Sequence, residues 1–210
     1  MSDWKTEWEK NYEIAQRSFK GHRATLIQDS DRFTIIDWRK ANGSVDYYIN
    51  FIVDKKRGSL IVSGDLGDSI ATWYNPVTIS NLKRYIYHDI PYYMSKFQCS
   101  SDDYYYEQEF VFECLMEHLF GYDEDFVENL ESYVSASEFD SIEEFRAELM
   151  EEVNKSINND DFIPTDRLYE IATDVYPDAW EGMNKLGARI QTRVYLWAIG
   201  FNMACNQLGM

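Results

Sequence analysis

The chain has 210 residues, 45% of them hydrophobic, enough for one substantial packed domain or two small ones. Its 37 acidic residues against 20 basic ones set a formal net charge of -17, and such a field repels nucleic acid and anionic membrane while attracting basic surfaces. Acidic disordered chains lack aromatics, whereas this one carries 16 Tyr, 12 Phe and 6 Trp, so the acids belong on the outside of a fold.

The charge is concentrated. The stretch from Ser101 to Glu181 holds 25 of the acids and three bases, Arg146, Lys155 and Arg167; the remainder carries 12 acids against 17 bases. Cys99, Cys114 and Cys205 are widely spaced and odd in number, which excludes a disulfide framework and a CxxC metal site and predicts buried thiols in a cytoplasmic protein. The segment MSDWKTEWEK has no apolar signal core. The longest apolar run, Val194 to Cys205, is broken by Gly200 and Asn202 and falls short of the ~20 residues that span a bilayer.

From Asp3 to about Lys20, the residues Trp4, Trp8, Tyr12, Ala15 and Phe19 follow the period of an amphipathic helix that Gly21 stops. Arg32 to Trp38, Val45 to Val53 and Ser59 to Ser63 are rich in β-branched and aromatic residues, with turns at Ala41 to Ser44 and Asp54 to Gly58. They predict a three-stranded antiparallel meander with Lys55, Lys56 and Arg57 at a solvated hairpin tip. The loop Ser63-Gly64-Asp65-Leu66-Gly67-Asp68-Ser69 invites a phosphate reading but matches neither GxGxxG nor GxxxxGK[ST]. Asp65 and Asp68 with the two serines make a thin ligand set for Mg²⁺ or Ca²⁺, and a turn built on positive-φ glycines is the favoured reading. Thr78 to Tyr87 and Pro91 to Phe97 predict short helices, with Ser80 or Asp89 near their starts. His22, His88 and His118 are far apart in sequence and form no HExxH or paired-His pattern.

The run from Arg57 to Trp73 (RGSLIVSGDLGDSIATW), with the preceding strands and Lys96 to Ser100, resembles small uncharacterised proteins of phages and mobile elements of Gram-positive bacteria. The resemblance covers about residues 30 to 100 and implies an anti-defence setting inside the host cell, where small acidic proteins resemble inhibitors such as anti-CRISPR proteins. It supplies no catalytic residue.

In the acidic stretch three helices are expected, each with one line of carboxylates. Between Asp103 and Phe120 the outward line is Glu109, Glu113 and Glu117. Ser141 to Glu144 forms a capping box that starts a helix with Glu144, Glu148 and Glu152 on its outer face. Thr165 caps a third helix with Asp166, Glu170 and Asp174 outward, and Pro177 follows its end. A looser acidic set, Asp123, Glu124, Asp125, Glu128 and Glu131, lies between the first two helices. Four-residue steps put carboxylates roughly 6 Å apart along a helix, comparable with successive phosphates, whose axial rise is about 3.4 Å. The scarcity of lysine on these faces favours mimicry over an ordinary solvated surface. A last helix, about Met183 to Leu208, is expected to carry a basic strip, Lys185, Arg189 and Arg193, and to be apolar enough for burial or homodimerisation.

The expected architecture is α+β: residues 1–100 forming an α/β region with the antiparallel sheet, residues 101–210 an acidic helical region packed with it as one unit. The expected function is non-enzymatic, with no cofactor, no metal and no direct nucleic-acid contact. The three acidic lines would bind the basic groove of a nucleic-acid-binding protein, a CRISPR effector such as Cas9 being the foremost case. A metal-dependent phosphate-processing enzyme using Asp65 and Asp68, and an interaction protein dimerising through the last helix, are the alternatives.

Overall fold

The computed structural model describes residues 4–87, 89–122, 125–158 and 161–210, with side chains from residue 7 onward. His88, Asp123 and Glu124 therefore lie outside the described residues, as does the side chain of Trp4. The chain is α+β and divides into two compact units, Met1–Asp103 with Gln191–Met210, and Tyr104–Ile190.

Unit 1 begins with the expected helix, α1 (Trp4–Ser18), followed by β1 (His22–Asp29), β2 (Phe33–Lys40), β3 (Ile49–Asp54), β4 (Ser59–Gly64), β5 (Ser69–Thr72), α2 (Ile79–Tyr87), α3 (Ile90–Met94) and β6 (Phe97–Ser100). The strands form one antiparallel sheet in the order β1 to β6, so the three-stranded meander is the middle of a six-stranded sheet. The added strands escape a period-two reading for physical reasons. β1 is an edge strand whose side chains are mostly exposed, and a bulge between Leu26 and Gln28 leaves Ile27 56% exposed. β5 and β6 have four residues each, too few to show alternation. The predicted start of β3 at Val45 is also corrected. Residues 45–48 are a turn in which Tyr47 adopts φ 56°, and pairing begins at Ile49.

The turn-to-helix signals hold with one shift. Asp89 Oδ1 accepts the Tyr92 N–H at 2.8 Å and caps α3, whereas near the start of α2 it is Thr78 Oγ1, not Ser80, that accepts the Asn81 N–H. The sheet is closed on one face by the chain's last helix. This is α8 (Thr192–Gln207), in which ten of sixteen residues are buried. It packs on α1, α2, α3 and the first three strands, with Phe201 edge-on to Phe51 at 5.3 Å. Residues 191–210 thus belong with the sheet rather than with the acidic helices. A helix that is apolar nearly all round needs cover on several sides, and the sheet with three helices supplies it. Most of the apolar surface of α8 is therefore covered within its own unit.

Unit 2 comprises β7 (Tyr104–Tyr105), α4 (Gln108–Phe120), α5 (Phe126–Ala136), α6 (Ile142–Ser156), β8 (Ile157–Asn158), β9 (Asp161–Phe162), α7 (Asp166–Val175), a 3-10 turn (Met183–Lys185) and β10 (Arg189–Ile190). α4 packs on α5 and α6, and α6 on α7. Phe145 of α6 is the hub, fully buried, with the rings of Phe139, Tyr133 and Phe120 centred 5.1, 5.5 and 5.8 Å away. The helix starts are those expected: Ser141 Oγ accepts the Glu144 N–H, and Thr165 Oγ1 accepts the Leu168 N–H.

The predicted last helix from Met183 is corrected. Its first part is the 3-10 turn and β10, which pairs with β7, so Lys185, Arg189 and Arg193 do not share a helix face. Gly187 explains the break: it has φ 69°, and a Cβ there would stand 2.7 Å from the Val111 Cα.

Candidate functional site

Unit 2 concentrates the charge. Residues 104–190 contain 23 acids and five bases, while unit 1 holds 14 acids against 15 bases. Each of the five cations faces a partner. Lys155 Nζ contacts Glu151 and Glu152 at 2.8 and 2.7 Å. Arg167 meets Glu148 at 2.7 Å, Glu138 at 2.5 Å and Glu170 at 3.5 Å. Arg189 pairs with Glu107 at 2.6 Å. The Arg146 guanidinium lies over the Phe112 ring at 5.0 Å, and the Lys185 ammonium over Tyr104 at 5.4 Å. The carboxylates in these pairs hold Lys155 and Arg167 well above their ordinary pKa values.

The three expected acidic lines differ. On α4, Glu109, Glu113 and Glu117 are all exposed, and their carboxylates make no ion pair or hydrogen bond among the described residues. On α7, Asp166, Glu170 and Asp174 are exposed, Glu170 alone touching a cation. The α6 line is not an outer face. Glu144 is exposed, but its carboxylate accepts the Asp140 N–H at 2.8 Å. Glu148 is half-buried against Arg167, and Glu152 is only 7% exposed. The Glu152 carboxylate accepts from Lys155 Nζ and Thr165 Oγ1, and these bonds, Lys155 first, hold its pKa below the usual carboxylate value. The cause is helical drift: a four-residue step overshoots one turn by about 40°, so a line of three swings about 80° round the axis. On α6 that swing carries Glu152 into the face of Phe145, Leu149 and Val153; on α4 the whole arc stays in solvent. Of the looser set, Asp125, Glu128 and Glu131 are exposed.

Two concavities adjoin the free lines. One, of about 500 Å³, runs along α7 and is lined by Tyr133, Tyr169, Glu138, Arg167, Glu170 and Asp174 among others. Burial, reinforced by Asp174, pushes the Tyr133 phenol up. The other, also about 500 Å³, lies beside the α4 line. Glu113 and Glu117 stand at its rim, Phe112, Met116 and Phe126 form its floor, and Tyr122, Val127 and Arg146 its walls. Tyr122 and Val127 are 79% and 57% exposed. Sequence reasoning did not single out this groove. The signal available was two large apolar residues flanking the looser acidic set, off the inward phase of any helix.

In unit 1 the Gly-Asp loop is a clasp. Asp65 Oδ2 accepts the Tyr47 N–H at 2.8 Å, and the Asp65 N–H donates to the Tyr48 carbonyl at 2.9 Å. At Gly64, φ 141°, a Cβ would collide with that same carbonyl. The Asp68 N–H donates to Ser101 Oγ at 2.9 Å, while the Ser101 N–H donates to the Asp68 carbonyl at 2.7 Å. Asp65 is thus engaged in folding the β2–β3 turn onto the end of β4. Among the described residues no three His, Cys, Asp or Glu side chains are grouped to hold a metal ion.

The remaining single residues are ordinary with one correction. His118 Nε2 lies 2.7 Å from the Ala179 carbonyl, tying α4 to the segment after α7. His22 is buried, with Nε2 3.1 Å from the Tyr47 carbonyl, and burial lowers its pKa. Cys205 is buried, which raises its thiol to about 12, and Cys114 is half-buried; Cys99, on edge strand β6, is exposed rather than buried. No helix among the described residues is long and apolar enough to cross a membrane. No family model, curated protein or solved structure matches the chain.

Proposed function

We propose that the protein is a phage-type inhibitor of a host defence nuclease, of the anti-CRISPR kind, acting in the host cytoplasm. Unit 2 occupies the basic nucleic-acid groove of the target, a CRISPR effector such as Cas9, and excludes the substrate electrostatically. The observation that supports this reading is the α4 line: three exposed glutamates with no ion pair among the described residues, in a unit whose five bases are held by other carboxylates or by aromatic rings. The α7 line, Asp166, Glu170 and Asp174, extends the contact. Glu148 and Glu152 hold α6 and α7 together beneath it and are not contact residues. Each exposed carboxylate contributes little alone, so the effect is collective.

Binding of the purified chain to Cas9, measured at graded salt, tests the reading. Affinity should fall steeply as salt rises. Glu113→Lys with Glu117→Lys should weaken binding at least about tenfold. The same charge change on exposed residues of α1, Glu9→Lys with Glu13→Lys, should leave it nearly unchanged. Binding that ignores salt, or equal losses in the two double variants, would rule out a local acidic contact surface.

A further inference from the structure

The groove beside the α4 line adds something that charge does not explain. Its floor is apolar, with Phe112 and Met116 buried beneath it and Phe126 partly buried at one side. Its walls expose Tyr122 and Val127, whereas the other large apolar residues exposed in unit 2, Ile163 and Trp180, line neither groove. Exposed apolar groups around a concavity mark a docking surface more often than two scattered residues do. A volume of about 500 Å³ lies within the range of sites that enclose a ligand's or a partner's anchoring groups. The second groove, along α7, differs: its own Arg167 is already held there by Glu138 and Glu170, and its lining is the more polar of the two.

The rim identifies the occupant. Glu113 and Glu117 border the floor, Glu109 continues the line one turn earlier, and Asp125 and Glu128 are exposed around Val127. The one cation at the edge, Arg146, is stacked on Phe112. Phosphates would be repelled by this rim, and a polycation without apolar groups would gain nothing from the floor. We infer that the groove between α4 and the start of α5 receives a basic amphipathic helix of the protein partner, whose apolar side chains enter between Tyr122 and Val127 while its Lys and Arg residues meet Glu113 and Glu117. This is the helix-in-groove mode of recognition with an acidic border. It rests on the proposed binding of a basic protein and assigns part of that binding to apolar contact, which salt does not screen.

Two synthetic peptides of about 18 residues, five helical turns, test it against the full chain by fluorescence anisotropy. Both carry the same lysines; one has leucine at i, i+3, i+4 and i+7, the other serine there. The leucine peptide should bind at least about tenfold more tightly. Val127→Asp separates the two contributions. It adds a carboxylate, so charge alone predicts tighter binding, whereas the groove predicts about tenfold weaker binding of the leucine peptide. Val127→Leu should preserve binding. Aspartate in the first turn of α5 suits the helix dipole, so the variant keeps its fold, and Tyr122→Ser, in the turn after α4, reads the same groove without altering a helix. Equal affinity of the two peptides, or tighter binding by Val127→Asp, overturns the groove and leaves the electrostatic reading standing. If neither peptide binds at low salt, both readings fall.

Discussion

The two units treat charge in opposite ways. In unit 1 acids and bases nearly balance, and many of the acids hold the backbone or a neighbouring base. Asp54 accepts from Arg32 and from the N–H groups of Lys56 and Arg57 at the β3–β4 turn. Asp37 pairs with Arg39, Asp29 with Lys55, and Asp65 pins Tyr47. Among the described residues of unit 2 the fold engages only a minority of the carboxylates, and many of the others are exposed, on α4, α5 and α7 above all. A charge that the fold does not need, and that disfavours the compact state by self-repulsion, is the feature to connect with a partner.

The largest expected effect tests whether the units are separate cooperative bodies. Phe201→Ala removes a fully buried ring packed on Phe51 and should cost about 3–5 kcal/mol. Amide exchange should accelerate across the sheet and α8 while α4 to α7 keep their protection; uniform acceleration would merge the two units into one. Next in size, Glu152→Ala should destabilise unit 2 by about 1–3 kcal/mol in denaturant, because it empties a buried position and leaves Thr165 Oγ1 without its acceptor, while Lys155 keeps Glu151. The acid limb of unit 2 should show the same group. The folded pKa of Glu152 lies below its ordinary 4.5, so its contribution is present above that value and is lost as pH falls through the depressed one.

The pH response of unit 1 should begin earlier and be smaller. His22 is held neutral by burial, its pKa below the ordinary 6.5. Below that value the unfolded chain takes up a proton that the folded one refuses, so stability declines from about pH 6.5 downward until the folded pKa is passed. A thermal-melting series should show this slope in the wild type and lose it in His22→Asn. Smallest of all, replacing Glu109, Glu113 and Glu117 together by glutamine should leave stability unchanged or raise it slightly, since each of two four-residue repulsions removed is worth about 0.2–0.5 kcal/mol. A large loss there would place the α4 line in the structural class of Glu152 and remove it as a contact surface.

Local signals were readable in the residues. Ser141, Thr165 and Asp89 cap helices because a short oxygen side chain beside an apolar period offers the first turn an acceptor, whatever lies beyond it. The acidity of one stretch, and the outward placement of the α4 and α7 lines, follow equally from composition and period. The groove at Tyr122 and Val127 was hidden, because its floor and walls come from three helices whose packing no local pattern records.

What the sequence by itself determined was most of the helices, though not α5 or the start of α8, the middle of the sheet and the stretch in which the charge excess lies, all properties of residues within one or two turns of each other. Only the tertiary structure decided that β1, β5 and β6 extend the sheet, since an exposed edge or a four-residue strand is defined by the hydrogen bonds of its neighbour. It also decided that α8 closes the first unit rather than joining the acidic helices, and that Glu152 turns inward while Glu113 and Glu117 remain in solvent. The period of 3.6 residues sets how far a line of carboxylates drifts, and the neighbouring helices determine which end of the drift is buried.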